Sequence, residues 1–262
     1  MRKIIRHDGI KISNSALPIV SVSDHDRLLA AIPGHFFWMQ AREMDVGPVE
    51  SIRDRANYSA ITPMGSDGTR WTIGASANGK PAIVCPDGVN VVSYTTDLQI
   101  RPDAFTVAQV FRLTPNYLNS INELVSSTSK ANVNGGLAAR ININVAPRFR
   151  LLGEDVSPAY ERVGTSILPN VDTLGIITFS TALGCSVRIN GHTVAQNVAD
   201  KRPLTDRTIR FGSQSTIVNS NASFHGQRMR THMFNLDLSA PEYAGYLATL
   251  ERELMSFYGI GS

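Results

Sequence analysis

From Phe36 to Leu236 the apolar residues fall in short runs separated by Gly, Pro, Asn, Asp and Ser. Runs of that size, rich in β-branched and aromatic residues, predict strands. They lie at Phe36–Met39, Trp71–Ile73, Ala82–Cys85, Phe105–Arg112, Leu137–Val145, Leu174–Ser180, Cys185–Ile189, Thr193–Ala195, Thr208–Gly212 and Gln227–Leu236. Within Leu137–Val145, Arg140, Asn142 and Asn144 share one face while Ile141, Ile143 and Val145 share the other. Alternation in Gln227–Leu236 sets Met229, Thr231 and Met233 against Arg228, Arg230 and His232, which predicts a strand with one basic face. Asn190-Gly191 joins two of the runs, and both residues accept the positive φ of a type I′ turn, so a hairpin is expected there. The polar stretch from Asn116 to Gly136 reads as a long loop or one holding a short excursion.

After Leu236 the period changes from two to between three and four. Ser239 reads as an N-cap with Glu242 three residues on, and Pro241 suits a first turn. Tyr243, Tyr246, Leu247, Leu250, Leu254 and Phe257 form the apolar stripe, and Gly259 closes the helix. Before Phe36 there is no sustained period. Leu28–Ile32 follows Asp24-His-Asp26 like a short helix start and ends at Pro33-Gly34. The expected organisation is an N-terminal arm over residues 1–35 and, over 36–262, an all-β antiparallel sandwich carrying one C-terminal amphipathic helix.

Composition narrows the partners. The chain has 262 residues, 42% of them hydrophobic and 18% charged, which is a globular balance with material for a full core. No window approaches a membrane span, and the charged N-terminus reads as lacking a Sec signal. A net charge of +3 falls short of the clustered basic stripes of nucleic-acid binders. Arginine nevertheless outnumbers lysine by 20 to 5, and guanidinium suits multidentate contacts to carboxylates, phosphates or another subunit. A high-GC coding bias explains the same imbalance equally well. Cys85 and Cys185 sit in apolar runs without metal-ligand spacing and read as buried free thiols.

From Trp38 to Gly259 the order of signals resembles the concanavalin A-like, laminin-G-like jelly rolls of bacterial and phage proteins. The resemblance is carried by Phe37-Trp38 followed by Val49-Glu-Ser-Ile-Arg-Asp54, and by Ala77-Asn-Gly-Lys-Pro-Ala-Ile83 leading into a core strand. The strand Phe105-Thr-Val-Ala-Gln-Val, the hairpin Val187-Arg-Ile-Asn-Gly-His-Thr-Val194 and the strand Ile209-Arg-Phe-Gly212 continue it. Phe224-His-Gly226, Met233–Tyr243 and Phe257-Tyr-Gly259 are similar to the family's ending. It implies a jelly-roll sandwich, in a superfamily that holds lectins, glycanases, adhesion modules and virion scaffolds, so fold does not settle function.

Candidate chemistry is sparse. Glycanases of this superfamily use a Glu-x-Asp-x-x-Glu strand that the chain lacks, and Glu154-Asp155 with Glu161 is interrupted by Ser157-Pro158. The histidines His7, His25, His35, His192, His225 and His232 have no zinc spacing, and no catalytic or metal residue is assigned. Asp54, Asp67, Asp87 and Asp97 are what a calcium ion at a sheet rim would use, and they read first as turn aspartates. A sugar site needs an aromatic platform with polar neighbours. Trp71 beside Arg70, and Tyr117 among Asn116 and Asn119, are the candidates, against a reading of Trp71 as core. The arginines Arg140, Arg148, Arg150, Arg228 and Arg230 read as a solvated sheet face that an anionic glycan, nucleic acid or acidic neighbour would also suit.

These readings favour a non-enzymatic, virion-associated protein held by protein partners in a multi-subunit assembly, made without a signal peptide and displaying a lectin-like sandwich to host-surface glycans. A free carbohydrate-binding adhesion module, secreted by a non-Sec route, is the alternative. A glycan-processing enzyme with an unrecognised site is the third.

Overall fold

The computed structural model describes residues 23–41, 47–64, 69–86, 92–114, 122–127, 138–141, 148–153, 160–203, 207–211, 224 and 226–261. Its strands are β1 (His35–Gln40), β2 (Ile52–Arg53), β3 (Ala60–Pro63), β4 (Thr72–Ala75), β5 (Pro81–Cys85), β6 (Tyr94–Ile100), β7 (Ala104–Leu113) and β8 (Asn122–Ser127). They continue as β9 (Ala138–Ile141), β10 (Arg148–Gly153), β11 (Tyr160–Ser166), β12 (Asp172–Ser180), β13 (Gly184–Ile189), β14 (His192–Asn197), β15 (Arg207–Phe211) and β16 (Gly226–Phe234). The helices are α1 (Asp24–Ala30) and α2 (Ala244–Tyr258), the latter preceded by a 3₁₀ turn at Pro241–Tyr243.

All named strand pairs are antiparallel. One sheet runs β14-β13-β12-β7-β16-β5-β4, with β1 also paired to β16, and the other runs β11-β10-β9-β8-β15-β6-β3-β2. Phe37, Phe105, Phe111, Phe179 and Met233 of the first sheet meet Ile61, Tyr94, Phe149, Leu151 and Phe211 of the second in one core. The first sheet has a second apolar face, where Ala108, Val110, Leu174, Ile176 and Phe234 lie under Leu29 and Ile32 and under Leu247, Leu250, Leu254 and Tyr258 of α2. The fold is thus an antiparallel β-sandwich with a helical layer on one sheet. Burial on both faces explains why β7 and β12 read as near-continuous apolar runs where β14, exposed along most of its length, does not.

Local chemistry fixes the turns. Asn190 (φ 47°) and Gly191 (φ 83°) make the expected β13–β14 hairpin, and the Asn190 side chain accepts from the Leu174 amide at 2.9 Å. Gly259 ends α2 in the left-handed conformation, with its own amide and that of Ile260 bonded back to Ser256 and Met255. Arg188 of β13 holds Glu251 of α2 through two bonds of 2.6 and 2.9 Å, so the buried Glu251 belongs to the helix face that meets the sheet.

Several expectations are corrected. Ser239 does not cap the helix: its hydroxyl donates to Asp237 at 2.5 Å, and the first turn opens from Ala240 as 3₁₀. Tyr246, placed in the apolar stripe, is 43% exposed, and Tyr258 takes the buried position instead. The stretch 116–136 holds β8 as its short excursion, and five more strands, β2, β3, β6, β10 and β11, stand where the pattern predicts no run. Residues 23–34, read as the end of an arm with a short helix start, do form the helix α1 and place Leu29 and Ile32 in the packed layer against α2. Residues 1–22 lie outside the described residues.

At Gly175 the two sheets pack closely. The glycine faces Phe149 of β10, which also stacks on Phe111 at 5.7 Å, and a Cβ at Gly175 would meet the Phe149 ring at 2.8 Å. Gly175→Ala is therefore expected to destabilise the domain by about 1–3 kcal/mol through overpacking. Urea denaturation measures this, and an unchanged midpoint would remove the contact from the account.

Candidate functional site

Trp71 is 1% exposed and stacked on Tyr94 at 4.1 Å, with the Arg228 guanidinium 5.0 Å from its centroid, so its indole belongs to the core and is closed as a platform. Arg70 beside it is half-buried, 4.0 Å from the Glu50 carboxylate. Asn116, Tyr117 and Asn119 lie outside the described residues, as do Asp67, Asp87, Glu154 and Asp155 and the Glu161 side chain. Asp97 is exposed on β6. Among the described residues no three His, Cys, Asp or Glu side chains gather as a metal group, and no helix is long and apolar enough to cross a membrane. Cys85 and Cys185 are free and buried, and burial raises both thiols, Cys185 to about 11.

The basic face expected on β16 is divided. Register slips between Arg228 and Arg230, so the sheet gains one residue at Met229, and a bulge of this kind turns two consecutive side chains to one face. Met229 and Arg230 consequently both point to the helical layer. Arg228 is left in the core between the Trp71 and Phe224 rings, 5.0 and 4.5 Å from their centroids, beside the Cys85 thiol. Both arginines are 2% exposed, which overturns the solvated-face reading for this strand. On β10, alternation with the core residues Phe149 and Leu151 puts Arg150 on the outer face, and its backbone pairs with position 140 of β9.

Arg230 lies in an aromatic box formed by Trp38, Phe257 and Tyr258, with centroids 5.4, 4.7 and 5.8 Å from its guanidinium carbon. His25 Nε2 is 2.6 Å from one terminal nitrogen and Asp26 is 3.5 Å from the other. His35 and His232 lie beside Trp38, sharing one hydrogen bond of 3.0 Å. Burial holds both imidazoles low, His35 at about 4 and His232 well below its ordinary value, the latter also because cationic neighbours oppose a further charge.

This box supports an exposed loop. Asp54, fully buried, accepts from the amides of Trp38 (2.6 Å), Ala56 (3.2 Å) and Asn57 (2.6 Å) and so ties the β2–β3 turn to β1. That contact joins the two halves of the Phe37-Trp38 and Val49–Asp54 signature, and it makes Asp54 a turn aspartate. Arg55 then lies 4.0 Å over the Trp38 ring and donates to Gln40 and Asp26 at 2.9 and 3.2 Å. Asn57 donates to the Phe36 carbonyl. At the tip Tyr58 has φ +61° and is 63% exposed, and Arg53 donates to its carbonyl at 3.3 Å. A bulky residue in the left-handed region costs about 1–3 kcal/mol and persists only where its surroundings hold it, as Asp54 does here. Exposed Tyr58 flanked by the exposed Arg53 and Asn57 is the aromatic platform with polar neighbours that a sugar requires. The sequence reading missed it, although Asp54 three residues before Asn57 is a turn signal.

Two predictions follow from these buried groups. Asp54→Asn would set an amide donor against the Asn57 N–H, and is expected to cost about 1–3 kcal/mol with faster amide exchange in residues 55–58. Equal exchange in the two proteins would refute the clamp. The depressed imidazoles contribute stability that is complete above their unfolded value near 6.5 and is lost as pH falls through about 4, of the order of 3 kcal/mol for His35 alone. Urea midpoints should drop between pH 7 and pH 4; a flat or rising profile contradicts neutral burial.

No protein-family model matches the chain, and no curated protein matches it. Solved structures do. Domain 4 of AbnA, a GH43 extracellular arabinanase from Geobacillus stearothermophilus, in complex with arabinotriose, aligns with a TM-score of 0.57 at 13% identity, over 82% of this chain and 98% of that one. The binding domain of botulinum neurotoxin DC, in complex with rat synaptotagmin II, aligns at 0.55 and 10% identity, over 82% of this chain and 52% of that one. Trypanosoma rangeli sialidase in complex with sialic acid aligns at 0.52 and 13% identity, over 87% and 36%. The chain thus spans about half of the toxin domain's length and about a third of the sialidase's. At these identities the likeness is one of fold: the chain is similar to β-sandwich domains of carbohydrate-active and receptor-binding proteins.

Proposed function

We propose that this protein is a non-enzymatic glycan-binding β-sandwich module that makes its contact through the β2–β3 loop, with Tyr58 as the stacking platform and Arg53 and Asn57 as hydrogen-bond donors. The observation that carries the reading is Tyr58, a 63% exposed aromatic held in a strained conformation by a buried carboxylate. Strain kept at an exposed position is an expected sign of function, because folding alone gains nothing from it. The neighbours solved with arabinotriose and with sialic acid add support by fold. The absence from the sequence of the Glu-x-Asp-x-x-Glu run favours binding over hydrolysis. We place the module in a multi-subunit particle such as a virion, on the arginine-rich composition and on the N-terminal segment as a candidate anchor; electron microscopy of the native source tests that setting.

Tyr58→Gly is the discriminating variant. Glycine adopts φ +61° without a Cβ penalty, so the domain should gain about 1 kcal/mol in urea while losing at least tenfold in affinity on the glycans that the wild type binds in an array. No saturable glycan hit for the wild type, or undiminished binding by the variant, defeats the proposal. Turnover of a polysaccharide panel by the wild type would replace the binding module with an enzyme.

A further inference from the structure

The buried charged groups that the glycan contact leaves unused converge where α1 rests on α2 and β16. His25 Nδ1 is 3.2 Å from a Glu253 carboxylate oxygen on α2, and Nε2 is 2.6 Å from the Arg230 guanidinium on β16. A carboxylate only accepts and a guanidinium only donates, so the imidazole is neutral with its proton on Nδ1 and its lone pair on Nε2 turned to Arg230. Its ring stacks on Phe257 at 4.7 Å. The next residue, Asp26, is shared by Arg55 at 3.2 Å and Arg230 at 3.5 Å. Residues 25 and 26 therefore carry the polar ties between α1 and the sandwich, alongside the apolar contacts of Leu29 and Ile32. A seven-residue helix does not hold its own conformation in water, so α1 stays helical only while docked.

The charged and titratable groups around His25 oppose one another. Glu253 of α2 and Asp26 of α1 favour its protonation, while Arg230 of β16 and burial disfavour it, and the net effect holds it below its ordinary value. Arg252 draws on the same Glu253 carboxylate at 2.9 Å. Arg55, Tyr258 and His232 complete the surroundings through their coupling to Arg230 or His25.

We propose that α1 is a proton-operated latch: protonation of His25 turns its Arg230 contact from an acceptor facing a donor into two opposed cations, and α1 lifts from α2 while the sandwich stays folded. No covalent bond changes; one proton enters at Nε2, the lone pair that Arg230 had used. Release uncovers Leu29, Ile32 and the part of α2 beneath them, so mild acid creates an apolar surface beside the Arg230 box. This inference is independent of the glycan reading, because it uses no residue of the exposed platform.

Hydrogen exchange on the full chain, corrected for intrinsic rates, tests it. Amides of residues 27–31 should lose protection several-fold, towards a ceiling of about tenfold for one imidazole, between pH 7.5 and pH 5.5 while β7 and β12 remain protected. An α1 that keeps its protection, or loses it only together with β7 and β12, overturns the latch. His25→Gln cannot take the proton and Arg230→Met removes the opposing cation. In at least one of them α1 should be equally protected at both pH values and better protected at pH 5.5 than in the wild type. A step of wild-type size in either variant, or an α1 exposed at both pH values in both, overturns the assignment.

Discussion

One extra residue in β16 governs most of what is unusual in this molecule. Were the strand regular, Arg228 and Arg230 would share a face and one layer would carry two adjacent cations. The slip at Met229 sends Arg228 between the Trp71 and Phe224 rings and Arg230 to the helical side against Trp38, Phe257 and Tyr258. An arginine in such a place must be paired and covered, because an isolated buried charge is prohibitively costly. The covering is α1, whose His25 and Asp26 both reach Arg230. A backbone irregularity in a central strand thereby determines where the helix before β1 docks.

The same box gives the exposed loop its rigidity. Trp38 supports Arg55, Arg55 reaches back to Asp26, and Asp54 binds the Trp38 amide together with two amides of its own turn. A loop built on packed strands presents a side chain more reproducibly than one that merely projects into solvent. Tyr58 is the beneficiary, and its unfavourable φ is offset by the three amide bonds that Asp54 accepts. The helical layer and the loop meet through Asp26, which binds both Arg55 and Arg230.

Pattern and turn chemistry went far in the sequence itself. The alternating and continuous apolar runs located β1, β5, β7, β12, β13, β15 and β16, the Asn190-Gly191 pair located the hairpin, and the change of period located α2 with its Gly259 stop. These features are local: a hairpin turn or a helix end is decided by the φ that two or three residues accept. The strands β2, β3, β6, β10 and β11 were not legible, since their runs are short or polar and gain their apolar partners only across the sandwich, as Tyr94 does from Trp71.

Side-chain facing was what the sequence could not decide. Alternation assigns Arg228 and Arg230 to one face, and only the pairing of β16 with β7 shows that a residue has been inserted between them. Trp71 reads first as core and second as a platform, and only Tyr94 and Arg228 on either side of it decide for the core. Tyr58 carries no mark in the chain that distinguishes an exposed tyrosine from a buried one. Its exposure follows from Asp54 folding the turn back onto Trp38, sixteen residues away. The sequence by itself determined the longer apolar strands, the hairpin and the terminal helix, because those depend on near neighbours. Tertiary structure alone decided which cations are buried and which aromatic is presented, because those depend on contacts between residues as distant as Asp26 and Arg230.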